Sequence, residues 1–133
     1  QVEQIRAELA EALDGLVSGA PQGRGVPLLS TVTGRWVSPG EMDGGYWFRN
    51  LRQRVRFAEA VDVLVAEGYG AFVEVSAHPV LTVGVEEAVE AAGGQAVVTG
   101  TLRRDQDTLR QVLTSLAQLH VHGVAVDWAP VLG

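Results

Sequence analysis

The chain has 133 residues, 47% of them hydrophobic, which suffices for one small core, and its lack of cysteine excludes disulfides, thiolate nucleophiles and zinc clusters built on Cys. Its ten cationic residues are all arginine and face sixteen acidic ones, so the net charge of -6 offers no electrostatic footprint for a nucleic-acid backbone. No uninterrupted apolar run approaches the ~20 residues that cross a bilayer, so a soluble protein with no membrane partner is expected, and a reducing cytoplasm is compatible with the lack of cysteine.

Apolar residues recur every three or four positions from Val2 to Leu16, with Glu3, Arg6, Glu8, Glu11 and Asp14 between them, and predict an amphipathic helix. With no initiator Met, the sequence enters this helix at once and reads as a piece of a longer polypeptide. Glycines and Pro21 make residues 15–25 a loop, and Val26 to Val32 reads as a buried strand closed by Gly34. Ser38-Pro39-Gly40 is turn chemistry. The aromatic cluster Tyr46-Trp47-Phe48 opens one or two helical turns against a core.

Phe57 to Glu67 carries Phe57, Val61, Leu64 and Val65 on one face and predicts a helix, with Gly68 placed for a left-handed cap. Ala71 to Val75 predicts a short strand, after which Ser76-Ala77-His78-Pro79 turns the chain. Pro79 suits the first turn of a helix running to about Ala92, and Gly93-Gly94 ends it. Ala96 to Thr99 predicts another strand, and Asp105 or Asp107 caps a helix bearing Leu109, Val112, Leu113, Leu116 and Leu119 until Gly123. Strands alternating with helices through the middle of the chain predict an α/β fold with a mainly parallel sheet.

Few residues offer chemistry. The glycine-rich stretch from Gly19 to Gly25 lacks a Gly-Lys-Ser/Thr signature and reads as a plain loop. His120 and His122 do not share a helix face and have no third ligand at metal spacing, so no metal is expected. Glu86 and Glu87 read as solvated helix-face charge. Ser18, Ser30, Ser38, Ser76 and Ser115 all lack the Gly-x-Ser-x-Gly elbow that exposes a nucleophile. His78 follows a predicted strand at the end where open α/β sheets build their sites, although an imidazole there also serves simply to hold a turn.

Three stretches read as words. Tyr46-Trp47-Phe48-Arg49-Asn50-Leu51-Arg52-Gln53-Arg54-Val55-Arg56-Phe57 resembles the motif that follows the catalytic histidine in acyltransferase domains of modular polyketide synthases. Phe72-Val73-Glu74-Val75-Ser76-Ala77-His78-Pro79-Val80-Leu81 is similar to a second motif of those domains, and Leu116 to Trp128, with Val126-Asp127-Trp128, is similar to the linker that follows them. Ala77 stands where the family usually has proline, and residues other than arginine are common in the family at Arg54.

The resemblance implies that residues 1–95 are the C-terminal part of an α/β-hydrolase-like acyltransferase core and 96–133 a helical post-acyltransferase linker. It implies transfer of an extender acyl unit from a coenzyme A thioester to the phosphopantetheine of an acyl carrier protein, by a Ser/His ping-pong mechanism. The serine, the histidine and the carboxylate-binding arginine of that mechanism are expected before Gln1. Asn50 matches the family position that orients the histidine, His78 lies in a turn near the site, and the form of both motifs points to methylmalonyl. The partners implied are the carrier protein, a ketosynthase domain and the remainder of the acyltransferase, in a homodimeric synthase, with no cofactor bound by this chain itself. The competing reading is a non-catalytic docking or scaffolding module, in which the helix at 105–122 and Trp128 pack on another domain.

Overall fold

The structure is a computed structural model that describes residues 5–13 and 25–132. The ends of the first predicted helix, most of the 15–25 loop and Ser18 lie outside these residues. The chain divides into two compact units, Gln1–Ala60 and Val61–Gly133, with the division inside one helix.

In the first unit, α1 (Arg6–Ala12) and the hairpin β1 (Leu28–Ser30) and β2 (Arg35–Val37) precede a single 3-10 turn (Pro39–Glu41) and α2 (Gly44–Arg52). The strands are antiparallel, with Leu28 opposite Val37, Leu29 opposite Trp36 and Ser30 opposite Arg35. This corrects the expected long strand at Val26–Val32. Val26 is 92% exposed, and the chain leaves the strand at Thr31 because the Ser30 Oγ accepts the N–H groups of Val32 and Thr33 at 3.1 and 3.3 Å. Gly34, at φ +69°, then turns the chain into a second strand that periodicity did not announce.

Asp43 starts α2 by accepting the Tyr46 N–H at 2.7 Å, the usual way an orphan helix donor is satisfied. Tyr46 and Phe48 turn inward and form the buried centre of this unit with Val32 and Ala60. Where α1 meets α2, a Cβ on Gly44 would come within 2.8 Å of the Ala10 Cα. Only glycine permits so close an approach of the two helices.

The helix α3 (Phe57–Ala66) leads into the second unit and stops at Gly68, which has the expected left-handed φ of +88°. There β3 (Ala71–Glu74) runs parallel to β4 (Val97–Gly100), joined through α4 (Thr82–Ala91), so the β-α-β order anticipated for an α/β fold is present. Among the described residues, one strand pair is parallel and one antiparallel. Val61, Val85, Val89, Val97 and Leu119 are the buried apolar residues, and each such side chain removed from water contributes roughly 1.5–3 kcal/mol.

α5 (Thr108–Val121) starts at Asp107, whose Oδ1 accepts the Arg110 N–H at 2.8 Å, while Asp105 takes a left-handed φ of 61° in the preceding turn. The Ser115 hydroxyl donates to the Gly100 carbonyl at 2.6 Å and ties α5 to β4. Gly123 ends α5, and a short α6 (Ala129–Leu132) begins where Asp127 accepts the Ala129 N–H at 3.0 Å. Pro79 does not open α4, contrary to expectation: the helix starts at Thr82, and Pro79 lies in the loop before it.

Candidate functional site

Asn50 projects from the second half of α2 and is exposed. It lines an apolar cleft of about 250 Å³ with Trp47 and Leu51 of its own helix and with Leu9 and Leu13 from α1 and its end. Residues 47, 50 and 51 share a face because they stand three and four positions apart. The cleft wall is held from behind. The Tyr46 ring meets Trp47 edge-on, with centroids 5.1 Å apart and planes at 86°, and the Tyr46 hydroxyl lies 2.8 Å from that of buried Ser30. A neutral amide set in an apolar wall presents one acceptor and two donors without the desolvation cost of a charge.

All three histidines of the chain belong to the second unit. His78 is exposed in the turn beyond the carboxyl end of β3, and its Nδ1 accepts the Arg104 N–H at 3.2 Å. A ring nitrogen that accepts must carry its lone pair there, so the neutral imidazole keeps its proton on Nε2. His78 thus joins its turn to the loop after β4. His120 packs edge-on against Trp128 with centroids 5.6 Å apart, and the Nδ1 of His122 lies 2.7 Å from the Gln118 carbonyl oxygen. Among the described residues, no three His, Asp or Glu side chains form a group able to hold a metal ion.

Glu74 is the residue that sequence reasoning passed over as an ordinary strand position. Its carboxylate accepts the Ser76 hydroxyl at 2.9 Å, the Val80 N–H at 3.0 Å and the Leu81 N–H at 2.8 Å. These bonds favour the charged form, the one from Val80 most, and hold the Glu74 carboxyl below the usual range. They also explain why α4 starts late, because the amides that Pro79 was expected to lead into a helix are taken up by Glu74. Thr101 completes the turn, its Oγ1 accepting the Ser76 N–H at 3.2 Å and donating to the Ser76 carbonyl at 3.1 Å. A carboxylate at a strand end, a few residues before free helix amides, was the available signal.

Three of the four described serines use their hydroxyls in structure. Ser30 and Ser115 are buried, and Ser76 donates to Glu74. The Ser38 N–H donates to Glu41 at 2.8 Å. Arg35 also bonds Glu41, and with the Ser38 amide it lowers the Glu41 pKa to about 2. Glu86 and Glu87 lie exposed on α4.

Residues 1–126 match the family model described as the acyl transferase domain. The chain belongs to the acyltransferase domains of modular polyketide synthases. It is 51% identical over 127 residues to polyketide synthase GfsA of Streptomyces halstedii, covering 96% of this chain and 2% of that synthase. To the pikromycin synthase component PikAIII of Streptomyces venezuelae it is 48% identical over 132 residues, covering 99% of this chain and 8% of that one. The crystal structure of the acyltransferase domain from module 8 of the salinomycin synthase superposes with a TM-score of 0.85 at 56% identity, over 96% of this chain and 30% of that chain. A loading acyltransferase of the avermectin synthase gives 0.75 at 40% identity, over 90% of this chain and 36% of that chain.

The acyltransferase chain therefore spans under a tenth of these synthases and about a third of the solved acyltransferase structures. Its relatives are parts of multidomain synthases, and among its described residues no helix is long and apolar enough to cross a membrane.

Proposed function

We propose that this chain is the C-terminal portion of an acyltransferase that moves an extender acyl unit, methylmalonyl, from coenzyme A to the phosphopantetheine thiol of an acyl carrier protein. The family match along residues 1–126 carries this reading. In the reaction a serine oxygen attacks the thioester carbonyl, a histidine takes the serine's proton, and the coenzyme thiol leaves with a proton returned by that histidine. The carrier thiol then attacks the acyl-serine ester and frees the serine. Serine, histidine and the arginine that pairs with the extender carboxylate come from polypeptide outside this chain.

Within this scheme Asn50 is a positioning residue. Its amide oxygen accepts one ring N–H of the histidine, which leaves the other nitrogen free to take the serine's proton. The place of Asn50 in a cleft beside α1 supports this role, since the resemblance puts the histidine just ahead of that helix in the chain. Residues 1–95 complete the acyltransferase core and 96–133 form the linker, although its first strand, β4, remains hydrogen-bonded to β3. The synthase is homodimeric and cytoplasmic, with a ketosynthase as neighbour, and this chain holds no cofactor itself.

The test is transfer by the complete domain from labelled methylmalonyl-CoA and malonyl-CoA in competition. Label is expected first on the domain and then on the carrier protein, with methylmalonyl favoured. No label from either donor removes the transferase reading and leaves the docking module. A preference for malonyl overturns only the extender assignment.

A further inference from the structure

Arg49, Arg52, Arg54 and Arg56 place four of the ten arginines of an acidic chain within eight residues. The hollow lined by Phe48, Arg49, Arg52 and Gln53 has a volume of about 290 Å³. A second, of about 510 Å³, is lined by Gln53, Arg54 and Arg56 with Val32, Thr33 and Glu59. Gln53 belongs to both, so the four guanidinium groups border one continuous, uneven surface. A fifth cation, Arg6, lies 5.2 Å from the centre of the Phe48 ring.

Local structure accounts for part of this charge. Arg49 and Arg52 stand in the last turn of α2, where cations complement the helix dipole, and Arg56 donates to the Thr33 carbonyl at 3.3 Å. Arg54 has no such duty: it follows the helix, its side chain is 83% exposed, and its ion pair is with Glu59 at 3.3 Å. Glu59 also lies 3.6 Å from Arg56, so one carboxylate is shared between two guanidinium groups and positive charge remains.

We propose that this arginine face of the first unit docks a protein surface rich in carboxylates, and that its partner is the acyl carrier protein. The assignment of the partner rests on the transfer reaction proposed above. Charge complementarity selects the chemistry, because the chain as a whole is acidic while this face gathers four arginines. The spread of the arginines selects a macromolecule, since groups distributed over two open hollows match scattered carboxylates and do not converge on one compact anion. Arginine suits the task through its planar fork, which pairs carboxylates at little extra ordering cost. The face is formed by residues 49, 52 and 53, two positions along α2 from 47, 50 and 51, so the centres of the two faces are about 160° apart around the helix. Docking there leaves the cleft open.

The experiment compares the complete domain with Arg54→Glu and Arg54→Gln. Three quantities are read: the rate of acyl-domain formation from the CoA donor, the KM for the carrier protein, and direct binding of the carrier protein by fluorescence anisotropy. The expected result is an unchanged acylation rate, which also reports correct folding, with KM and Kd for the carrier raised roughly fivefold in Arg54→Glu and less in Arg54→Gln. High salt should erase the difference between parent and variants. Unchanged acylation with unchanged KM and Kd overturns the proposal. Should the parent never acylate, the transferase reading fails on its own, and the binding measurement still decides whether Arg54 contacts the carrier protein.

Discussion

The hydroxyl oxygens of Tyr46 and Ser30 lie 2.8 Å apart in the buried centre of the first unit and join the bend of the β1–β2 hairpin to α2. The same Ser30 oxygen accepts two backbone amides, and the same Tyr46 ring backs Trp47, so one bond links the hairpin turn to the wall of the Asn50 cleft. Tyr46→Phe in the complete domain should therefore lower stability by about 1 kcal/mol, a typical net value for one hydrogen bond. Ser30 keeps its amide donors in that variant. Chemical denaturation of parent and variant checks the figure, and an unchanged midpoint would show the bond to be idle.

Asn50→Ala should reduce kcat for acyl transfer by roughly tenfold or more with little change in KM, as expected for loss of a group that orients a general base. Asn50→Asp should retain more activity and shift the acidic limb of the pH profile upward, because a carboxylate stabilises imidazolium more than an amide does and the histidine must be neutral to act as base. Steady-state kinetics across pH distinguishes this from a structural role, which would leave the profile in place.

Gly44→Ala tests the contact that shapes the cleft. With a Cβ 2.8 Å from the Ala10 Cα, α1 must move away from α2, at a cost of about 1–3 kcal/mol. Amide hydrogen exchange should rise in Arg6–Ala12 and stay unchanged in the second unit. Equal protection of α1 in both proteins would refute the close packing.

Acid should weaken the domain through two carboxylates. Glu41, lowered to about 2 by Arg35 and the Ser38 amide, and Glu74, lowered mainly by the Val80 amide, both have folded pKa values below their unfolded ones. Their contribution is complete above the unfolded pKa near 4.5 and disappears as pH falls through the folded values, for Glu41 toward 2. Glu41 is exposed and Glu74 half-buried, so solvent screening keeps the effect modest. Melting temperatures followed from neutral pH to pH 3 should decline less steeply in Glu41→Gln than in the parent.

Glu74→Ala removes the acceptor for the Ser76 hydroxyl and for the Val80 and Leu81 amides. The 76–81 turn should loosen, and nuclear magnetic resonance of His78 should show its Nδ1 losing the Arg104 hydrogen bond. Persistence of that bond would make the turn independent of Glu74.

Local pattern determined much of this protein. The spacing of Val61, Leu64 and Val65, the glycine after α3 and the aspartate before α5 fell where helices form and stop, because periodicity and capping act within a turn or two of chain. The α/β character followed from the same local signals, and the words around Asn50 and His78 carried the family. Specific side-chain and backbone contacts decided the rest. A hydroxyl at Ser30 diverted an apolar run into a hairpin, a carboxylate at Glu74 delayed α4 past Pro79, and α1 closed a cleft over Asn50 through Gly44. The first two lie within a few residues of chain and the third joins segments far apart, yet none follows from apolar periodicity, because a hydrogen bond or steric contact of that kind exists only once the backbone has brought its partners within a few ångströms.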